Sequence, residues 1–178
     1  MESSTIVRGR ACVITGGSGA LIPDIDTDMI FHNAHLAVTD VSEMGKYAFG
    51  NLAGWKDFPE KVRPGDIVIA GVNFGCGSSR QQAVNCLRSL GIAALVAASF
   101  GAIYLRNAIN SAFPAGVCGG LAEFDSSAPA ISSGDEIEAD FAAGRLVNLT
   151  TGVEIPGLQP WSSVQRDVFA SGGLLRME

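Results

Sequence analysis

Asn73-Phe74-Gly75-Cys76-Gly77-Ser78-Ser79-Arg80 joins an apolar run to a helical pattern. Upstream, Asp66-Ile67-Val68-Ile69-Ala70-Gly71 is short, apolar and β-branched, and Pro64-Gly65 bounds it, which predicts a buried strand. Downstream, Ala83, Val84, Leu87 and Leu90 recur at helical spacing and Gly91 follows as a C-cap. The unit is a strand, a glycine loop and a helix. Gly75 and Gly77 allow a tight turn and the close approach of a ligand. Ser78 or Ser79 is expected at the N-cap or in the first turn, where unpaired N–H groups point at whatever binds. Arg80 adds a planar fork of donors that matches a carboxylate or phosphate. Together these groups make a candidate anion site at the carboxyl end of a strand. The purely structural alternative is a capped helix with a solvated arginine.

At 178 residues, 47% of them hydrophobic, the chain can bury a sizeable core, and one domain over residues 1–178 is the natural count. The net charge of −6 argues against nucleic acid or an anionic membrane as partner, so Arg80 reads as a local anion contact. Only 17% of residues are charged, against roughly a quarter in ordinary soluble domains, which a broad subunit interface would explain. Cys12, Cys76, Cys86 and Cys118 lack zinc or iron–sulfur spacing and suit a reduced, cytoplasmic setting. Cys76 lies in the glycine loop but reads better as a small buried filler than as a nucleophile. No leader segment and no bilayer-spanning run is recognisable.

Elsewhere the chain divides into short elements. Val7–Thr15 reads as a first strand. The Gly16-Gly17-Ser18-Gly19 turn after it fails as a dinucleotide fingerprint, because Ile22 stands where the third glycine is needed and Pro23 interrupts the helix. Asp24, Asp26 and Asp28 lack the glycine and glutamate of an EF-hand and better suit a turn with Asp26 or Thr27 as a cap. Asp28 is then free to orient an arginine or hydroxyl. His32 and His35, the only histidines, could form a metal pair only with a third ligand. His35–Asp40 reads as a loop, Val41–Phe49 as a weakly amphipathic helix, and Gly50–Arg63 as an irregular polar connection. Residues 31–62 lack periodicity and are expected to be mobile without a partner. Ile92–Ala98, a helix near Ala102–Ser111 carrying Arg106, Asn107 and Asn110, and Ala115–Cys118 continue an alternation that means parallel pairing. After Ser126 the pattern becomes an antiparallel hairpin, Gly134–Asp140 with Arg145–Thr150, then Val153–Ile155. A last helix is expected over Pro160–Ala170, with Trp161, Val164, Val168 and Phe169 on its apolar face and Leu174-Leu175 packing back.

Three further stretches complete a pattern. With the 65–80 segment, Asp26-Thr27-Asp28-Met29-Ile30, Ala98-Ser99-Phe100-Gly101-Ala102-Ile103-Tyr104-Leu105-Arg106-Asn107-Ala108-Ile109-Asn110 and Gly172-Gly173-Leu174 keep an order and spacing that cover nearly the whole chain. In these motifs the sequence resembles the small subunits of the aconitase superfamily, most closely those of the 3-isopropylmalate dehydratases (isopropylmalate isomerases). The resemblance implies an α/β fold, the swivelling β/β/α domain, with a mixed sheet and parallel core. It implies a hydro-lyase of leucine biosynthesis that interconverts 2- and 3-isopropylmalate by dehydration and rehydration, active only with a large subunit. That partner would carry a [4Fe–4S] cluster binding the substrate hydroxyl and a carboxylate; this chain would bind none. By the same carry-over Ser79 would be the general base, Arg80 would grip a substrate carboxylate, Ser78 would hydrogen-bond to it, and Asp28 would support the site. The substrate-choosing loop would fall on His35-Leu36-Ala37-Val38.

Two positions depart from the family pattern. Gln81 stands where glutamate usually follows the arginine, and Ala37 stands where an arginine is expected. A homocitrate-, citrate- or methyl-substituted malate-type acid is therefore an alternative substrate. A non-catalytic anion-binding module is a second class of reading.

Overall fold

The computed structural model describes residues 4–177. Seven strands form one mixed sheet: β1 (Ile6–Val13), β2 (Ile67–Ala70), β3 (Ala94–Ala97), β4 (Ala115–Val117), β5 (Glu136–Asp140), β6 (Arg145–Asn148) and β7 (Glu154–Ile155). Their order is β4-β3-β2-β1-β5-β6-β7. The half from β4 to β1 is parallel, with Ala11 opposite Ile67 and Val68 opposite Leu95. The half from β1 to β7 is antiparallel, with Ile6 opposite Asp140. β1 thus belongs to both halves, which accounts for its length beside the four residues of β2 or β3.

Strand periodicity sorts the core into two layers. Cys12, Ile14, Val68, Ala70, Leu95 and Ala97 point to one face. Ala11, Val13, Ile67, Ile69, Ala94 and Val96 point to the other. The first face is covered by α1 (Thr27–Ile30), α2 (Val41–Met44), α3 (Phe58–Lys61), α4 (Gln82–Ser89) and α5 (Ala102–Asn110). The second is covered by the antiparallel half of the same sheet, which curls back so that Ile137, Phe141, Leu146 and Ile155 join that core. A Cβ at Gly116 would lie 2.6 Å from the Phe141 ring, so β4 tolerates only glycine where the sheet folds onto it. The layers are β, β and α, as expected, and both faces of the parallel strands are dry. α6 (Ser163–Ala170) packs against α5 at the edge. No helix among the described residues is long and apolar enough to cross a membrane.

Several local expectations need correction. The Val41–Phe49 helix stops at Met44 and continues as a 3-10 turn over Gly45–Tyr47. The turn follows from close packing: a Cβ on Gly45 would lie 2.9 Å from Leu90. The 50–63 connection is not polar in the folded state. It contains α3, and Leu52, Trp55, Phe58 and Val62 enter the helix-side core. The last helix begins at Ser163, because Ser162 and Gln165 form a reciprocal capping box. Val164 is 63% exposed and Leu175 fully exposed, so neither packs inward.

The expectation of mobility over residues 31–62 therefore divides. Phe49 stacks edge-on to Phe58 with ring centroids 4.6 Å apart, and its N–H donates to the Ile30 carbonyl at 2.9 Å. Residues 33–43 are mostly exposed. In the isolated chain we expect amide hydrogen exchange to be fast over 33–43 and slow at Phe49, Phe58 and Val62. Equally fast exchange across the whole of 31–62 would show that the aromatic anchors do not hold.

Candidate active site

The chain leaves β2 through a loop bonded on both flanks. On one side, Phe74 N–H donates to the Ser99 carbonyl at 3.0 Å and Gly101 N–H donates to the Phe74 carbonyl at 2.9 Å. On the other, Gly75 N–H donates to the Ile25 carbonyl at 2.7 Å and Thr27 N–H donates to the Cys76 carbonyl at 2.9 Å. Gly75 has φ +73° and its missing Cβ would sit 2.3 Å from the Tyr104 ring, so both backbone and packing demand glycine. Asn73 adopts φ +57°, and its Nδ2 donates to Asp24 Oδ1 at 2.7 Å.

The loop takes longer to reach the helix than the sequence pattern suggests. α4 starts at Gln82 with Gln81 as N-cap, and its first bonds run back to the Arg80 and Gln81 carbonyls. Ser78 and Ser79 are therefore neither N-cap nor first-turn residues; they lie exposed on the approach to the helix. The Ser78 carbonyl accepts from Thr27 Oγ1 at 2.9 Å, and no partner for the Ser78 hydroxyl is found among the described residues. Ser79 Oγ accepts from Asn107 Nδ2, on α5, at 3.4 Å.

Arg80 is held at one corner of its guanidinium. Nη1 donates to Asp28 Oδ1 at 2.7 Å and to the Phe31 carbonyl at 3.0 Å. The side chain is only 14% exposed, and no partner for Nε or Nη2 is found among the described residues. Asp28 is pinned in turn by Asn33 N–H at 3.0 Å and Asn51 Nδ2 at 3.2 Å. The Arg80 hydrogen bond is the largest cause holding the Asp28 carboxyl below the ordinary carboxylate range. Asp28 thus aims Arg80, and the free guanidinium edge can grip an anion.

Neither the His35 side chain nor Ala37 hydrogen-bonds to this constellation among the described residues, although the His35 ring centroid is 6.2 Å from that of Phe31. The His35 ring stacks on Tyr47 at 4.0 Å. Ala37 is exposed in the turn after Asn33–His35. His32 Nδ1 accepts from Ala34 N–H at 3.1 Å and caps that turn. Among the described residues no group of three or more His, Cys, Asp or Glu is placed to hold a metal ion. Burial pushes the Cys12 thiol up to about 11 and the Cys86 thiol up to about 12, so both stay protonated at neutral pH as buried core thiols. This donor set does not fit an iron–sulfur cluster. The thiol of Cys76 is half-buried, and burial, with Asp26 and Asp24 adding to it, also pushes it up, away from a nucleophile.

Sequence reasoning singled out neither the Asn107 contact with Ser79 nor the Ser111 hydroxyl behind it. Ser111 Oγ donates to the Asn107 carbonyl at 2.7 Å and accepts from Gln81 Nε2 at 2.8 Å. The one available signal was the i, i+4 spacing of Asn107 and Ser111 on a helix whose other face is apolar.

The family model for the aconitase C-terminal domain matches residues 32–114, a span that includes the loop, α4 and α5. The chain is 38% identical over 172 residues to 3-isopropylmalate dehydratase small subunit 1 of Methanopyrus kandleri, covering 97% of this chain and 92% of the relative. The chain belongs to the 3-isopropylmalate dehydratase small-subunit family. A second member of that family, the isopropylmalate/citramalate isomerase small subunit of Methanocaldococcus jannaschii, is 38% identical over 85% of each chain. The crystal structure of 3-isopropylmalate dehydratase from Methanocaldococcus jannaschii superposes with a TM-score of 0.80 at 33% identity, covering 97% of this chain and 92% of that one. The small-subunit fold and the β/β/α layering described above are thus shared with these relatives.

Because its carboxyl is shifted down, Asp28 contributes through Arg80 above its unfolded value, and the contribution is lost as pH falls through the folded one. We expect wild type to be more stable than Asp28→Asn at neutral pH, with the difference disappearing below about pH 3.9. Urea unfolding of both proteins against pH measures this; a pH-independent difference would mean that the charge of Asp28 is not what matters.

Proposed function

We propose that this chain is the small subunit of a heteromeric hydro-lyase that isomerises 2-isopropylmalate and 3-isopropylmalate, with Ser79 as its base and Arg80 as its carboxylate clamp. The observation that carries the reading is the geometry of Arg80: one corner is fixed by Asp28 and Phe31, no partner for the rest is found among the described residues, and the two serines that precede it in the chain are exposed. The [4Fe–4S] cluster belongs on this reading to the large subunit, and no step below passes through it.

The substrate's carboxylate meets the free edge of Arg80, and the Ser78 hydroxyl donates to it. Ser79, as the alkoxide, takes the proton from the carbon that bears this carboxylate. The C–H electron pair moves toward the carboxylate, which gains charge as an aci-form, and the same arginine stabilises that charge. Loss of the hydroxyl from the neighbouring carbon completes the removal of water. The proton on Ser79 and the hydroxide, which together are the water removed, then return with hydrogen and hydroxyl exchanged between the two carbons, and Ser79 is left as the alkoxide again. A serine hydroxyl is a weak acid, so the alkoxide exists only where positive potential stabilises it and water is excluded. Arg80 and the amino end of α4 supply the potential; the partner's surface supplies the exclusion.

Ala37, where an arginine is expected, keeps a homocitrate-, citrate- or methyl-substituted malate-type acid as the alternative; a substrate with two carboxylates and an apolar branch is ranked first on family membership. The M. jannaschii relative named for both isopropylmalate and citramalate supports the same class.

The test is reconstitution with the candidate large subunit and an anaerobically rebuilt cluster, across a panel of 2-hydroxy di- and tricarboxylates. We expect turnover of isopropylmalate first, methyl-substituted malates next and tricarboxylates least. Ser79→Ala should lower kcat by about 10²–10⁴-fold, the range for loss of a proton-transfer group. A stable complex that turns over none of the acids would instead support the non-catalytic anion-binding reading.

A further inference from the structure

Ser79 has one side-chain neighbour among the described residues that bonds to its hydroxyl, the Asn107 amide. The direction of that bond matters. Nδ2 is a donor, so the Ser79 oxygen is the acceptor and its own proton is left for another partner. A bond of this sense strengthens when the acceptor becomes charged, and so favours alkoxide over hydroxyl.

Behind Asn107 the hydrogen bonds also have a fixed sense. Ser111 has a single hydroxyl proton, and the Asn107 carbonyl takes it at 2.7 Å. Ser111 Oγ can then only accept from residue 81. The Gln81 amide meets that need at 2.8 Å, and the same nitrogen spends its second hydrogen on Asn85 Oδ1 at 3.2 Å. A carboxylate at position 81 cannot donate. It would draw the Ser111 proton to itself and strip it from Asn107. The glutamine at this position is thus matched to the serine thirty residues later.

The clip ties the start of α4 to the end of α5. A second tie, Tyr104 Oη to the Ala83 carbonyl at 3.3 Å, joins the same two helices about two turns earlier on α5. Ser79 precedes α4 by three residues and Asn107 sits on α5, so the spacing of the two helices sets the Oγ to Nδ2 distance.

We propose that Asn107 is a positioning residue for Ser79, holding and polarising its oxygen, and that the Gln81–Ser111 clip sets its place. The inference rests on the reading of Ser79 as the base.

The test uses the reconstituted two-subunit enzyme. Asn107→Ala should lower kcat by about 10²-fold, the effect of losing one preorganised donor to an oxyanion, with KM changed less than about threefold. The limb of the kcat–pH profile that reports ionisation of the base should move to higher pH. Asn107→Asp is isosteric and guards against a folding defect; it replaces the donor with an acceptor and should lose more than Asn107→Ala. In a Ser79→Ala background Asn107→Ala should cost nothing further. Wild-type kcat and pH profile in both Asn107 variants would overturn the inference. So would an equal loss with and without Ser79, because Asn107 would then act elsewhere. Full activity in Ser79→Ala alone would overturn the base assignment itself, an outcome that the Asn107 variants cannot mimic. For the clip, Gln81→Glu and Ser111→Ala should each speed amide exchange at Ser111–Phe113 in the isolated chain; unchanged exchange would remove it from the argument.

Discussion

The site depends on a loop that cannot move independently of the sheet. Between Asn73 and Gly77 the backbone turns through positive φ at Asn73, Gly75 and Gly77, yet is hydrogen-bonded to 25–27 on one side and to 99–101 on the other. Four inter-segment hydrogen bonds hold it, each worth about 0.5–1.5 kcal/mol net but costlier to leave unmade once buried. Such close pairing leaves no room for side chains where the segments meet. Gly75 lies against Tyr104, and a Cβ on Gly101 would come within 2.7 Å of the Gly75 carbonyl oxygen. The glycines are therefore fixed by packing before any ligand is considered. Ser78, Ser79 and Arg80 inherit their positions from this junction, which is how residues on a loop can be placed as accurately as residues on an element.

Two arginine–aspartate pairs show the difference between a closed and an open pair. Arg10 meets Asp66 with both Nε and Nη2, at 3.0 and 2.6 Å, and the buried Asp66 also accepts from the Arg63 N–H at 2.9 Å. Its Nη2 donates to the Lys61 carbonyl as well, so the fork is spent on the protein and fixes where β2 begins. Arg80 meets Asp28 with Nη1 alone. Both pairs orient a guanidinium, but only the second leaves donors over. They sit at opposite ends of β2: the closed pair lies at the amino end of that strand and the open pair at the carboxyl end, where open parallel sheets usually bind their ligands.

The parallel core was legible because Ile67–Ala70 and Ala94–Ala97 are apolar throughout, and only strands covered on both faces can afford that. The 73–80 loop was legible because glycine and φ > 0 go together. Residues 50–63 were misread because Gly50, Gly54, Pro59 and the charged residues among them read as a loop, although Leu52, Trp55, Phe58 and Val62 recur at spacings of three, three and four; separate short turns bury them. Leu174 and Leu175 were misread for the opposite reason: apolar character promised burial, and the Gly172-Gly173 turn sends them outward. Within the candidate site, the roles proposed for Ser79 and Arg80 come from a motif, whereas the contact of Asn107 with Ser79 comes from the packing of α5 on α4. Side chains that act across two helices leave no spacing in the sequence, because their separation is set by tertiary contacts.

The exposure of Ser79 bears on why a base of this kind would sit on a separate chain. In contact with water, the hydroxyl is solvated and its proton stays on, and Arg80's field is weakened by the high dielectric. Cover the same surface with a second protein and two things change together. The arginine, the Asn107 amide and the amino end of α4 act through a drier medium, and the water that competed for the alkoxide is gone. A rigid half-site is then safe when open and reactive only when closed. The double-sided pairing of the loop meets the first condition, since nothing in it has to rearrange on closure. On the proposed reading, the swivel domain contributes an arginine and a serine already in place, and the partner contributes their confinement.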